Sequence, residues 1–180
     1  MTAPVERLLR IGAALTAMTL LAAAPAPATA KTSAACVDHL TSTISPGYSF
    51  IPSSGTDTTN GEPGTIACVG TIAGARITGP GSAGFDMAYT RATCASVTGT
   101  GTFRATIPTT AASQHLVGAL TVHATALALR VDVEFPGIRY SGIGVTIPLQ
   151  GDCLLKPLRK AMTSDIGSLT SLQSLHSQHR

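Results

Sequence analysis

Cys36, Cys68, Cys94 and Cys153 are the residues with the clearest chemical meaning, and their spacing decides between two chemistries. Structural zinc sites take ligands in close pairs, as in C-x-x-C. Here the nearest two, Cys68 and Cys94, stand 26 positions apart, so no metal and no other cofactor is expected. An even number of cysteines in an exported chain reads instead as two disulfides. Four cysteines allow three pairings. The expectation is Cys68 with Cys94 and Cys36 with Cys153. The first two lie on β-like segments joined by a glycine-rich turn, and such segments tend to be neighbours. The second two flank a domain whose ends should meet.

Acid–base and nucleophilic chemistry has its parts but no pattern. His39, His115, His123, His176 and His179 coexist with many serines, yet no spacing singles out a nucleophile. His39 adjoins Asp38, His115 opens a β-like segment, and His176 and His179 sit near the C-terminus. Asp132 and Glu134 could form a carboxylate pair for glycosidic work. With Arg130 and Arg139 close by, they read as a charge-balanced, solvated sheet face. Residues 79–84, GPGSAG, match G-x-G-x-x-G, which signals a dinucleotide only between a strand and a helix. A β-like segment follows here, so a glycine turn is expected. Ser82 fails the G-x-S-x-G elbow because position 80 is proline. No catalytic residue is assigned.

Residues 1–30 read as an address. Arg7 and Arg10 precede an uncharged apolar run at 11–24, and Ala28-Thr29-Ala30 supplies the small-x-small cleavage pattern. The run is shorter than the ~20 residues of a membrane span. No twin-arginine pair is present, which favours general secretion. Lipidation of Cys36 would need a better motif than Ser33-Ala34-Ala35 and would leave an odd cysteine. A secreted, extracellular protein beginning at Lys31 is expected. Removing residues 1–30 leaves ten Lys and Arg against eight Asp and Glu. That balance is too mild for a nucleic-acid surface. Sparse charge with high apolar content argues for a folded chain of one domain.

Along that chain, residues 36–51 could hold a helical turn and then a strand. Residues 52–64 read as a loop with an Asn60-Gly61 turn. Segments 65–77, 85–94, 101–107 and 116–124 are β-like. The clearest signal is 127–135, where Leu127, Leu129, Val131, Val133 and Phe135 alternate with Ala128, Arg130, Asp132 and Glu134. Pro136-Gly137 turns into 138–149, where apolar parity switches between Tyr140 and Ile143, as a bulge at Gly142 would produce. If that turn has two residues, Glu134 faces Arg139 as a surface ion pair. After Cys153, Leu155, Leu158, Met162, Ile166, Leu169 and Leu172 recur every three or four residues. This spacing predicts an amphipathic helix over 157–172.

Residues 135–153, FPGIRYSGIGVTIPLQGDC, together with ACVGTIAG and GTGTFRATIPTT, resemble a group of small secreted actinobacterial proteins rich in Ala, Gly and Thr. The resemblance implies secretion and β-structure and no activity. Neocarzinostatin-like carriers close short disulfide loops, which the cysteine spacing here does not allow. The Cys-Pro reactive segment of the subtilisin-inhibitor family is absent.

The sequence therefore predicts an all-β fold: a small antiparallel β-barrel, or alternatively a β-sandwich, over residues 31–154. A helical, partly disordered basic tail follows over 155–180. The leading function is a non-enzymatic extracellular binding or structural protein. It would act as a monomer on an extracellular or cell-envelope ligand, without nucleic acid and without a membrane span. A secreted hydrolase or enzyme inhibitor is the alternative.

Overall fold

The computed structural model describes residues 31–125 and 128–172. Ten strands form, all paired antiparallel: β1 (Ser33–Tyr48), β2 (Ser53–Thr58), β3 (Gly64–Ile72), β4 (Ala75–Arg76), β5 (Gly81–Ala92), β6 (Ser96–Ile107), β7 (Gln114–Thr125), β8 (Leu129–Phe135), β9 (Ile138–Gln150) and β10 (Leu158–Ser171). Strands β5 to β10 run as a meander, each bonded to the next. β10 then pairs with β1, from Ser33 opposite Thr170 to Thr43 opposite Lys160. β1 returns to β5 through β2, and the hydrogen bonds close into a ring of eight strands. β3 lies beside the first half of β1, touches β5 at Gly64–Ile66, and carries β4 on its outer edge.

Closure leaves most ring strands no open edge and gives each an inner and an outer face. In β8 Leu129, Val131, Val133 and Phe135 are all buried, as the alternation requires, while Arg130 and Glu134 face solvent. Phe103 meets Phe135 edge-on with centroids 6.3 Å apart, and Tyr48 meets Tyr89 likewise at 4.8 Å. Pro136-Gly137 is a two-residue turn with Gly137 at φ +74°, so Phe135 opposes Ile138 and Arg139 pairs with Glu134. Both partners are about half exposed, so the pair contributes at most about 1 kcal/mol.

Several expectations are corrected. Residues 158–171 are strand β10, not a helix. Its three-to-four spacing arises because apolar residues lie on both faces: Leu158, Ala161 and Leu169 point in, and Ile166 points out. A register shift at Lys160/Ala161 changes the parity between Leu158 and the rest. Bonding to both β1 and β9 outweighs a helix already weakened by Gly167 and the serines. Residues 173–180, the far end of the expected tail, lie outside the described residues. β1 contains no helical turn, and β2 occupies the first half of the expected 52–64 loop. The turn at 79–84 is shorter than expected, because β5 begins at Gly81.

The disulfides are Cys36–Cys68 and Cys94–Cys153, not the expected pairs. β3 meets β5 only at its first three residues and then follows β1, which sets Cys68 directly opposite Cys36. Cys94 lies past the other end of β5, close to the loop after β9. Cys36 and Cys153, expected side by side at the ends of the domain, are apart: Cys36 stands opposite Gly167 of β10, whereas Cys153 lies near Tyr48 at the far end of β1.

No bulge occurs at Gly142. β9 keeps its register to both neighbours through that residue. Tyr140, Gly142 and Gly144 share the inner face, so Ile143, Val145, Ile147 and Leu149 are exposed on the outer one.

Candidate binding site inside the ring

On β1, alternation turns Ala34, Cys36, Asp38, Leu40, Ser42 and Ile44 to the interior. Asp165 of β10 is the register partner of Asp38. Asp57 enters from β2. Exposure of the three carboxyls is 0% for Asp38, 2% for Asp165 and 5% for Asp57. Three acids in one low-dielectric interior are costly unless protonated or paired.

Two tyrosines supply part of the pairing. Tyr140 donates its hydroxyl proton to Asp165 Oδ1. Its path lies over inner-face glycines: a Cβ on Gly167 would sit 2.5 Å from the Tyr140 ring, and one on Gly142 would sit 2.8 Å from both Tyr140 Oη and Asp165 Oδ1. Tyr48 donates to Asp57 Oδ2 at 3.1 Å. Both carboxylate oxygens of Asp38, Asp57 Oδ1 and Ser42 Oγ have no hydrogen-bond partner among the described residues.

Protonation follows from burial. Asp38 is pushed up to about 8, first by desolvation and then by the neighbouring charge of Asp165. Asp165 is raised by desolvation, against the hydrogen bond from Tyr140. Asp57 is pushed up to about 6 by desolvation, with first the nearby Ser42 hydroxyl and then the Tyr48 hydroxyl pulling it down. Desolvation, together with the adjacent Asp57 and Asp165 charges respectively, raises Tyr48 and Tyr140, so both remain proton donors.

A cavity of about 90 Å³ adjoins this cluster. It runs from Leu40, Asp57 and Asp165 to Thr93, Ser96 and Thr125, at the end of the ring where the Cys94–Cys153 bridge lies. Its walls are otherwise mostly apolar, Phe85, Met87, Val122 and Val131 among them. Such a cavity accepts apolar bulk and has the Asp57 carboxyl in its lining.

Among the described residues, those weighed for catalysis lie elsewhere; His176 and His179 fall outside the described residues. His39, His115 and His123 are exposed on the outer face; His115 and His123 are within hydrogen-bond reach of Thr106 and Thr98 at 3.1 and 3.4 Å. Among the described residues none of them bonds a carboxylate. Asp132 and Glu134 form outer-face ion pairs with Arg130 and Arg139. Ser82 lines a shallow outer depression with Thr59 and Arg104. No group of three or more His, Cys, Asp or Glu is placed to hold a metal among the described residues.

Sequence reasoning missed all three interior acids, although Asp38 carried a signal. It shares the parity of Cys36, Leu40 and Ile44, which marks it as inward once residues 33–48 are read as a strand. Comparison with protein families, with curated proteins and with solved structures finds no match to this chain.

Proposed function

We propose that the protein is an exported, non-enzymatic binding protein that holds a small basic molecule inside an eight-stranded barrel. The observation that carries this reading is Asp57, a buried carboxyl in the lining of a mostly apolar cavity whose Oδ1 has no hydrogen-bond partner among the described residues. Eight-stranded barrels have interiors just wide enough to be filled by side chains or to hold one small ligand. A cavity of about 150 Å³ takes benzene. By the same measure the 90 Å³ here suits a guest of roughly four heavy atoms. A carboxylate titrating near 6 favours a protonated amine, because a cation lowers its pKa and completes its hydrogen bonding. The leader-like residues 1–30 and the two disulfides support export. The outer-face histidines give the hydrolase alternative no support. Protein recovered undenatured from its own host's medium or envelope, then unfolded, should release one small amine per chain, identified by mass spectrometry. Release of water and buffer alone contradicts the proposal.

A further inference from the structure

The two loops at the cavity's outer end present large apolar side chains to solvent. In residues 49–52 Phe50 is 59% and Ile51 78% exposed; in residues 151–157 Leu154 is 76% and Leu155 87% exposed. The loops are neighbours. Tyr48 pairs with Leu158, the Cys94 amide donates to Ser49 O at 2.9 Å, and Cys94 is bridged to Cys153. Each loop is also held rigid. Ser49 Oγ donates to Ile51 O and accepts from Ile51 N. Asp152 Oδ1 accepts from the amides of Leu154, Leu155 and Lys156 at 2.8–3.1 Å. The exposed apolar side chains therefore stand together on two internally hydrogen-bonded loops tied into one tip by the Cys94–Cys153 bridge.

Charge completes the pattern. Lys156 and Arg159 are exposed beside this tip, with Lys160 half-buried behind them and Arg91 exposed at the end of β5. The one acid in the two loops, Asp152, is held low by the Leu155 and Lys156 amides that it accepts, so its charge is directed into its own loop. Protruding Phe, Ile and Leu backed by Lys and Arg match a bilayer interface that carries negative headgroups.

We infer that this disulfide-tied tip docks onto an anionic lipid surface, with Phe50, Ile51, Leu154 and Leu155 entering the headgroup boundary and Lys156, Arg159 and Lys160 meeting its charge. The ring sits on the bilayer and does not span it. Its outer face carries the pairs Asp86–Arg104, Asp132–Arg130 and Glu134–Arg139, which interrupt the apolar band that a spanning barrel requires. Docking in this pose sets the mouth of the cavity against the membrane. The inference stands independently of whether the cavity holds a ligand.

The test is co-sedimentation of the full chain with vesicles of phosphatidylglycerol and, separately, of phosphatidylcholine. Wild type should bind the phosphatidylglycerol vesicles, several-fold more weakly as salt rises, and bind phosphatidylcholine poorly. Leu154→Ser with Leu155→Ser should lose at least about tenfold in partitioning at an unchanged melting temperature. Ile143→Ser with Val145→Ser, on the outer face of β9, should bind as wild type does. All forms keep the same chain ends, so any difference reports the tip. Equal binding by the leucine variant and wild type overturns the inference, as does no vesicle binding. A concentration-dependent dimer that the leucine variant abolishes, without vesicle binding, also overturns it and assigns the tip to a second copy.

Discussion

Asp38 and Asp165 face each other across the β1–β10 pairing that closes the ring, both buried from solvent, and among the described residues only Asp165 has a hydrogen-bond donor. The seam that completes the fold thus carries two carboxyls that cannot both ionise cheaply. Their protonation is linked to stability. A carboxyl raised in the folded state binds protons that the unfolded chain releases. Its stabilising contribution is complete below the ordinary aspartate value and is lost as pH rises through the folded value. For Asp57 that loss runs to about 6, and for Asp38 to about 8. The melting temperature should therefore fall by roughly 5–10 °C between pH 5 and pH 8.5. Asp38→Asn should flatten the upper part of that profile and leave the part near pH 5 in place. A melting temperature that rises across this range would contradict the buried pair.

The disulfide pairing gives a second test. Non-reducing peptide mapping should find Cys36 linked to Cys68 and Cys94 linked to Cys153. The bridges close loops separated by 32 and 59 positions. In the chain-entropy model each contributes about 4 kcal/mol. Replacing either pair by alanine should lower the denaturation midpoint by a corresponding amount. A Cys68–Cys94 peptide would contradict the register of β1 with β3.

The inner-face glycines make a third. Gly167→Ala places a methyl 2.5 Å from the Tyr140 ring and should cost about 2–3 kcal/mol in chemical unfolding. Gly137→Ala meets open space but sits at φ +74°, so it should cost nearer 1 kcal/mol. Equal, small effects at both positions would mean that Tyr140 does not reach Asp165 by this path.

Residues 158–171 provide a fourth prediction. Bonded on both sides, β10 should be indispensable, so truncation before Leu158 should abolish cooperative unfolding. A folded truncated chain would contradict ring closure.

These residues also show what the sequence could reveal. The β8 alternation and the Pro136-Gly137 turn were legible because one face of β8 is wholly apolar and the turn residues are distinctive. β9 and β10 were not, because their inner faces carry Gly142, Gly144, Gly167 and Asp165 where apolar residues are expected. Their isoleucines and valines face out, so hydrophobic periodicity pointed to a bulge in one and a helix in the other. The same inversion hid the site. Asp38, Asp57 and Asp165 come from three separate strands, and only the closed ring turns all three inward. The cysteine pairing failed for a related reason: β3 parts from β5 after Ile66, which no local pattern marks.

The most direct test of the interior site is calorimetric titration with n-propylammonium, about four heavy atoms and one charge, against n-propanol as its neutral counterpart. Wild type should bind one propylammonium per chain, at least about tenfold more weakly at pH 5, where Asp57 is protonated, than at pH 8. Asp57→Asn should lose the same factor at pH 8, and propanol should bind weakly to both. Absence of propylammonium binding, or equal binding by wild type and Asp57→Asn, would contradict a basic ligand held at Asp57.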